Sequence, residues 1–315
     1  MYGTEKPLVT IGIPTYNRAN SFLKYSLESA LGQTYSNVEI IVSDNCSTDN
    51  TKEFVHNYND NRIKYYRHDP SIKPHENANH CVFNARGEYF LLLHDDDVID
   101  KDFIEVCIRS IDGRDVGLVH TGARIIDENG KVKRARKNPH GASSTYEYFI
   151  AVLQGNAVTY VCNTLYKTKY LKLINGFQSK TYTYSDVVAN IKIVYHYDRV
   201  EIEDPKASYR VHNSKWGSAV GIKNWCEDSL YLLDVMSELM PEYKEYFQNE
   251  GKRCFSRINY SRARRIVKPI LKPYAFYIVF SQFGFTYSPL RDFFERHKES
   301  ISKVSPPLVT KFIYR

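Results

Sequence analysis

The chain has 315 residues, of which 43% are hydrophobic and 25% charged, as in an ordinary globular protein, and its net charge of +7 is modest. Its six cysteines are scattered without a C-x-x-C pair, which argues against a structural zinc site and favours reduced thiols. The longest apolar runs, Tyr89–Leu93 and Tyr274–Phe280, are far shorter than the roughly 20 residues of a membrane span, and the polar start Met1–Pro7 lacks the pattern of a signal peptide. We therefore expect a cytoplasmic protein that is at most peripheral to a membrane.

Strand-like and helical segments alternate through the first part of the chain. Apolar runs of strand length occur at Leu8–Ile13, Val38–Val42, Ile63–Tyr66, Tyr89–Leu93 and Val116–His120. Helical spacing predicts helices at Phe22–Leu31, Thr51–Tyr58, Asn77–Ala85 and Phe103–Ile111. Asn20 or Ser21 is expected to cap the first of these helices, and Gly87 to end the third. Such alternation is typical of βαβ units, so we predict an α/β fold with a mostly parallel central sheet flanked by helices.

The elements after residue 126 are less regular. Residues 127–141 are basic and rich in turn formers, which predicts a flexible loop. Thr145–Leu153 has helical spacing, Ala157–Val161 is strand-like, and Asp186 opens a predicted helix. Arg199–Ile202 suits an edge strand.

From about Trp216 onward the pattern is helical without strands, so we predict two domains, 1–215 and 216–315. Eight Lys and Arg residues lie between Lys252 and Lys272, interleaved with aromatic and apolar residues, and no Asp or Glu occurs between Glu250 and Asp292. Such a segment can be a solvated charged face, a nucleic-acid patch or a membrane-surface segment. Because aromatic residues suit the lipid interface and basic residues are attracted to anionic lipids, we favour peripheral membrane contact through 252–282 and expect no nucleic acid.

The predicted strand Tyr89–Leu93 ends in three consecutive carboxylates, Asp95, Asp96 and Asp97. Adjacent carboxylates repel one another and lose solvation when buried, so a compensating charge is needed. Mg²⁺ and Mn²⁺ prefer oxygen ligands and often bridge to phosphates, and ligands of open α/β sheets bind at the carboxyl ends of strands. The pattern therefore predicts a metal–diphosphate site, the alternative being a solvated acidic turn.

Two further polar segments, Pro14–Arg18 and Ser43–Asp49, follow predicted parallel strands. Because the carboxyl ends of parallel strands share one edge of the sheet, we expect both segments to meet the three carboxylates in one cleft. The first loop could cradle a nucleoside, and Asp44 could accept a hydrogen bond from a base. An Asx turn with a helix cap is the alternative for the second segment.

Together these segments resemble the nucleotide-sugar glycosyltransferases of family 2, which have the GT-A fold. The matching stretches are Ile13–Arg18 (IPTYNR), Val42–Thr51 (VSDNCSTDNT), Ala85–Tyr89 (ARGEY), His94–Asp97 (HDDD), Asn175–Phe177, Ser185–Asp186 and Tyr209–Ser214. The resemblance covers about residues 7 to 215. The Asp triplet, Ser43–Asn45 and Asn77–Asn79 are similar to a subset of bacterial O-antigen and capsular polysaccharide enzymes.

The resemblance implies roles for individual residues. The nucleotide-binding set is Pro14, Thr15, Tyr16, Arg18, Asp44, Asn79 and Asp95, with Asp44 facing the base. The metal ligands are Asp96, Asp97 and His212, for Mn²⁺ or Mg²⁺, and the diphosphate contacts are Arg210 and His212. Asp186 is the catalytic base of an inverting transfer from a nucleotide-diphosphate sugar to a hydroxyl of a lipid-linked glycan, with the metal stabilising the leaving diphosphate.

Other interpretations stay open. In isolation, Asp186 suits a first-turn acid favoured by the helix dipole, and His212 a structural histidine. Ser185 stands where the family usually has an acid, and His94 where its metal motif usually begins with Asp, so a catalytically inactive binding module is an alternative. We expect His94 to lie behind the metal ligands. A nucleotidyltransferase is a weaker alternative because its Gly-rich first loop is missing.

Overall fold

A computed structural model describes residues 6–138, 144–212, 221–266 and 269–288. The chain divides into two compact units, Met1–Val220 and Gly221–Arg315. The predicted domain boundary at 215/216 falls among residues outside the described ranges.

Nine strands of the described part of the first unit form one sheet, in the order β3-β2-β1-β4-β8-β6-β9-β5 with β7 paired to β6. Their bounds are β1 Val9–Thr15, β2 Val38–Asp44, β3 Ile63–Arg67, β4 Tyr89–Leu92, β5 Val98–Ile99, β6 Val116–Ile126, β7 Val132–Arg136, β8 Thr164–Lys167 and β9 Asp198–Arg210. Strands β3, β2, β1 and β4 are parallel, as are β6 and β9, whereas β8 is antiparallel to both of its neighbours. The carboxyl ends of β1, β2 and β4 therefore lie at the same edge.

Helices cover the sheet of this unit. They are α1 Leu23–Leu31, α2 Thr51–His56, α3 Pro74–Asn84, α4 Phe103–Ile111, α5 Thr145–Gln154, α6 Thr168–Leu173 and α7 Ser185–His196, with a 3₁₀ turn at Val161–Asn163. All seven residues of β2 and all four of β4 are buried, as expected for strands covered on both faces. The hydrophobic core includes Ile11, Leu27, Ile40, Leu91 and Phe103, each fully buried.

A buried carboxylate, Glu39 of β2, joins several strands. It accepts hydrogen bonds from Thr10 Oγ1 at 2.6 Å, Lys64 Nζ at 2.5 Å and the main-chain N–H of Arg86 at 2.8 Å. Burial by itself raises the pKa of Glu39, but these hydrogen bonds outweigh it and lower the pKa to about 2. The Gly87 N–H donates to Thr10 Oγ1 at 2.9 Å, and a Cβ on Gly87 would lie 2.5 Å from Thr10 N. Glu39 thus ties β1, β2, β3 and the turn before β4 together.

The second unit is helical in its described residues. Its helices are α8 Ile222–Leu239, α9 Lys244–Tyr246, α10 Lys252–Arg264 and α11 Lys272–Phe283, with 3₁₀ turns at Pro241–Tyr243 and Pro269–Leu271 and a π turn at Phe247–Gly251. Helices α8, α10 and α11 pack on one another. Asn259 of α10 donates to Ser229 of α8 at 2.9 Å in the buried interface. Among the described helices, none combines the length and apolar character that a bilayer crossing requires.

The sequence predicted the main strands, but four local predictions were wrong. Helix α1 begins after Phe22, so neither Asn20 nor Ser21 caps it. Helix α3 ends at Asn84, which leaves Gly87 beyond its cap. Residues predicted as a flexible loop form strand β7, although residues 139–141 of that loop are not described. The strand expected at Ala157–Val161 lies instead at Thr164–Lys167. Arg199–Ile202 is the first part of the longer strand β9, which continues to Arg210.

Candidate active site

Asp95 follows β4 and is held by the loop after β1. Thr15 Oγ1 donates to Asp95 Oδ2 at 2.8 Å, the main-chain N–H of Tyr16 also hydrogen-bonds to this carboxylate, and Arg18 Nε lies 4.0 Å from Oδ2. Burial, followed by the neighbouring charge of Asp96, raises the pKa of Asp95 to about 7 despite these contacts. Four residues of the predicted nucleotide-binding set therefore lie together, with Thr15, Tyr16 and Arg18 around Asp95.

Asp96 and Asp97 are buried, and residues at or just after the end of β9 contact both of them. His212 Nε2 lies 2.8 Å from Asp96 Oδ2. The main-chain N–H of Arg210 donates to Asp97 Oδ1 at 2.9 Å, and Arg210 Nε donates to the Asp96 carbonyl at 2.8 Å. This arrangement arises because β5, which directly follows the acidic turn, pairs with β9 through Val98 and Ser208.

The guanidinium of Arg210 has further main-chain partners. Its Nη1 donates to the carbonyls of Asp127 and Glu128, each at 3.1 Å. Arg210 therefore links the acidic turn to the segment that connects β6 and β7. These contacts favour a structural role, and its predicted contact with diphosphate stays a prediction.

Phe22 contacts the His212 ring and the guanidinium of Arg210, and it was not identified from the sequence. Its ring centroid is 4.5 Å from that of His212 and 5.1 Å from the guanidinium carbon of Arg210. The guanidinium carbon of Arg18 lies 5.9 Å from the same ring. The sequence offered only an apolar residue at the start of a helix, which predicted a core position.

Three side chains could hold a metal ion. Potential ligand atoms of His94, Asp96 and Asp97 all lie within 4.8 Å of one another, and His94 Nδ1 is 3.9 Å from Asp97 Oδ2. The set fits a divalent cation, because two carboxylates and an imidazole converge there. Burial and the repulsion between neighbouring carboxylates also disfavour negative charge at this turn, and a cation would compensate that charge. The expectation that His94 lies behind the ligands is not supported, since its imidazole belongs to this group.

Asp44, the last residue of β2, is fully buried. Its Oδ1 accepts from the Ser47 N–H at 2.9 Å, and its Oδ2 accepts from the Tyr65 hydroxyl. Burial and, next, the hydrogen bond to Asp44 raise the pKa of Tyr65. Asn17, in the left-handed conformation with φ 53°, accepts from the Thr48 N–H at 2.8 Å and so joins the two loops. Asp44 thus shapes its turn, and its contact with a base remains a prediction.

Asn79 of α3 is occupied by the main chain of Phe177. Its Oδ1 accepts from the Phe177 N–H at 2.8 Å, and its Nδ2 donates to the Phe177 carbonyl at 3.1 Å. Gly176 has φ 71°, and a Cβ there would collide with the Asn79 amide. These contacts favour a structural role for Asn79, and its nucleotide contact remains a prediction.

Asp186 lies in the first turn of α7, whose N-cap residue is Tyr184. Burial and, after it, the charge of Asp186 raise the pKa of Tyr166 on β8; the pKa of Tyr148 is raised by burial, then by the charge of Glu201 and to a smaller extent by that of Asp186. Strand β8 pairs directly with β4, the strand that leads into the acidic turn. The Asp186 carboxylate therefore acts electrostatically on β8. This strand is the neighbour of β4, after which the predicted metal ligands follow.

Solved structures confirm the class of fold. Residues 1–349 of Staphylococcus aureus TarS in complex with UDP-GlcNAc are 19% identical, with a TM-score of 0.68, over 88% of this chain and 80% of that one. A mannosyltransferase from Pyrobaculum calidifontis, solved with GDP-Man and Mn²⁺, is 16% identical with a TM-score of 0.55, over 90% of this chain and 86% of that one. The first unit is thus an α/β domain of the GT-A type.

Sequence comparison gives the family. The profile of Glycosyl transferase family 2 matches residues 10–174, which is more than half of the chain. The chain belongs to glycosyltransferase family 2, as its motifs predict.

Individual relatives match over shorter stretches. An uncharacterized glycosyltransferase of Rickettsia typhi is 37% identical over 128 residues, which are 40% of this chain and 39% of that protein. One of Rickettsia felis is 32% identical over 194 residues, 60% of this chain and 31% of the relative. The chondroitin synthase of Pasteurella multocida is 31% identical over 135 residues, 40% of this chain and 13% of the synthase. The chain therefore spans less than two fifths of the length of each of these three relatives.

Proposed function

We propose that this chain is an inverting, metal-dependent glycosyltransferase that moves a sugar from a nucleotide-diphosphate donor to a hydroxyl group. One observation carries the proposal: the loop after β1, the acidic turn after β4 and the end of β9 meet at a single sheet edge through Asp95, Asp96 and His212. Such an edge is where ligands of α/β sheets bind. Family membership and the solved neighbours that hold UDP-GlcNAc or GDP-Man support it.

The loops after β1 and β2 are the proposed binding site of the donor nucleotide. Tyr16 is 53% exposed beside Asp95, so its ring is accessible for stacking on a base or ribose. Arg18 lies next to the acids and can bind a phosphate oxygen. Pro14 pairs with Ser43 at the ends of β1 and β2 and so keeps the two loops adjacent.

The metal would be held by Asp96 and Asp97, with His212 or His94 adding a nitrogen ligand, and Mn²⁺ and Mg²⁺ both suit such a set. When bound, a divalent cation supplies positive charge to the departing diphosphate. His212 also orients Asp96, since the two side chains are 2.8 Å apart and both are buried. Arg210 fixes the acidic turn from the opposite side through its hydrogen bonds to Asp96 and Asp97.

Asp186 is the proposed general base. Its carboxylate takes the proton of the acceptor hydroxyl as the hydroxyl oxygen bonds to the anomeric carbon and the carbon–oxygen bond to the diphosphate breaks. One displacement of this kind inverts the anomeric configuration. The Ser185 hydroxyl donates to the Tyr182 carbonyl at 3.3 Å, so this residue stabilises the loop before α7 where other family members carry an acid.

The acceptor is proposed to be a lipid-linked glycan of surface-polysaccharide synthesis, reached by peripheral contact of residues 252–282 with an anionic membrane. Large apolar side chains are strongly exposed in this part of the second unit: Ile270 at 85%, Tyr274 at 64% and Tyr277 at 67%. The sequence between Glu250 and Asp292 contains no acid. Exposed aromatic residues beside basic ones are typical of helices that lie in the lipid interface.

A turnover assay tests the proposal. The protein is incubated with a panel of nucleotide-diphosphate sugars and Mn²⁺, with and without lipid-linked glycan acceptors, and release of the nucleotide diphosphate is measured. We expect release from one class of donor, stimulated by acceptor and abolished by EDTA. Tight donor binding without any release would favour an inactive binding module. In a parallel incubation with nucleoside triphosphates and a sugar 1-phosphate, release of inorganic pyrophosphate would favour a nucleotidyltransferase.

A further inference from the structure

The last turn of α6 and the segment that leads from it to α7 contact helix α3, or the residue directly after it, at three points. Lys172 Nζ donates to the carbonyl of Ala85, just after the end of α3, at 2.8 Å. The main chain of Phe177 is held by Asn79, in the middle of the helix. Tyr182 stacks on His75, in the first turn of the helix, with ring centroids 3.2 Å apart and planes 8° apart. The segment therefore runs antiparallel along α3.

Two of these attachment points are four residues apart on α3. His75 and Asn79 consequently lie on the same face of the helix, one turn from each other. Asn79 is buried and fixes the Gly176–Phe177 turn through two hydrogen bonds. The His75–Tyr182 stack adds the second contact, closer to α7.

The backbone of Tyr182 has an unfavourable conformation. Its φ is +63°, in the left-handed region that aromatic L-residues rarely adopt. Such conformations persist only where surrounding contacts enforce them. The stack on His75 is a contact that opposes relaxation of this backbone.

The same helix holds the end of β2. Asn77 Nδ2 donates to the Ser43 carbonyl at 2.9 Å, and the Ser43 hydroxyl donates to Asn77 Oδ1 at 2.7 Å. His80 Nδ1 lies 3.0 Å from the same hydroxyl. Ser43 directly precedes Asp44, so α3 is fixed to the strand end that carries the proposed nucleotide side of the site.

On its other side, the stack is connected to Asp186. The Tyr182 carbonyl accepts the Ser185 hydroxyl at 3.3 Å, and the Val188 N–H donates to Tyr184 at 2.8 Å as the first turn of α7 forms. Asp186 lies within that turn. The backbone of Tyr182 is therefore linked by these hydrogen bonds to the turn that carries Asp186.

We propose that the His75–Tyr182 stack is a positioning contact, which fixes Asp186 relative to the nucleotide end of the site through α3. The inference rests on the proposed function, because it takes Asp186 as the base. A base displaced by about 1 Å loses on the order of 100-fold in rate, whereas nucleotide binding does not depend on its position. The stack should therefore affect kcat and leave nucleotide affinity unchanged.

The test compares Tyr182→Ala, Tyr182→Phe, Tyr182→Gly and His75→Ala with the wild type and with Asp186→Asn. We expect Tyr182→Ala and His75→Ala to lower kcat by about 10- to 100-fold, with an unchanged dissociation constant for the nucleotide diphosphate. Tyr182→Phe keeps the stacked ring and should keep kcat. Tyr182→Gly relieves the backbone but has no ring, so wild-type kcat in this variant would overturn the proposal, as would wild-type kcat in Tyr182→Ala.

Amide hydrogen exchange gives a second result that does not depend on activity. Exchange at Val188 should be about tenfold faster in Tyr182→Ala and His75→Ala, and exchange in the middle of α3 unchanged. Unchanged exchange at Val188 overturns the proposal. If the wild type shows no turnover but Val188 loses protection as expected, the proposed enzymatic function fails while the positioning contact stands.

Discussion

Asp96 and His212 are 116 positions apart in sequence, yet Asp96 Oδ2 and His212 Nε2 lie 2.8 Å from each other in a buried contact. The pairing of β5 with β9 produces this contact, because β5 begins one residue after the acidic turn and β9 ends two residues before His212. The site therefore depends on the long return of β9 across the sheet. Its chemistry can be tested at both residues.

His212→Asn is expected to weaken Mn²⁺-dependent nucleotide binding by about 10- to 100-fold. The substitution removes the imidazole that orients Asp96, or that binds the metal together with it, without adding charge. Calorimetric titration of the nucleotide diphosphate in the presence of Mn²⁺ measures the effect. His196→Asn, at an exposed histidine at the far end of α7, is the matched control and should bind as the wild type does. Equal affinity in the two variants would contradict the assignment.

Asp186→Asn is expected to lower the rate of sugar transfer by about 10²- to 10⁴-fold, because the amide cannot accept the proton of the acceptor hydroxyl. Nucleotide binding should be unchanged, since Asp186 is not part of the metal or nucleotide set. Initial rates at saturating donor, combined with a binding isotherm, separate the two effects. Asp204→Asn, an exposed acid of β9, serves as a control of equal charge change. Full activity of Asp186→Asn would require another base.

Stability should fall at acid pH because of Glu39. Its pKa is lowered from the ordinary 4.5 to about 2 in the folded protein, so its contribution is complete above about pH 4.5 and is lost as the pH falls toward 2. The shift corresponds to roughly 3 kcal/mol of unfolding free energy. Urea unfolding of the wild type and of Glu39→Gln at several pH values should show a difference that shrinks over this window. A difference that is constant from pH 6 to pH 2.5 would refute the assigned cause.

Gly12→Ala is expected to destabilise the first unit by about 1–3 kcal/mol. A Cβ at Gly12 of β1 would lie 2.6 Å from Cys81 Cβ and 2.9 Å from Phe90 Cζ, where α3 packs against the sheet. Gly221→Ala is the comparison, because a Cβ there meets no atom within 4 Å. The unfolding free energies of the two variants, measured with urea, should differ in this direction; similar values would mean that the helix can shift to make room.

The sequence predicts those features that depend on local pattern. Strands β1, β2 and β4 are apolar runs buried on both faces, and the carboxylates after β4 mark the sheet edge that carries the site. Strand β7 was missed because its residues are mostly exposed and basic, so no hydrophobic alternation marks it. The strand expected at Ala157–Val161 was misplaced by a few residues, as short apolar runs have poorly defined ends.

The missed features of the site depend on contacts between distant segments. Phe22 contacts His212 and Arg210 only because β9 returns beside the acidic turn, and no local pattern indicates that. Asn79 has an amide that suits a nucleotide or a backbone equally well, and only the fold places Phe177 next to it. Glu39 is an acid within a strand predicted to be buried, and its partners come from three other parts of the chain.

The central claim is that Asp96 holds a metal on which the donor diphosphate depends. The most direct measurement is calorimetric titration of UDP, GDP, CDP and dTDP into the wild type and into Asp96→Asn, each with Mn²⁺ and with EDTA. We expect one nucleotide to bind the wild type only when Mn²⁺ is present, and we expect Asp96→Asn not to bind it. Binding of equal strength in EDTA, or no binding of any nucleotide to the wild type, would contradict the account.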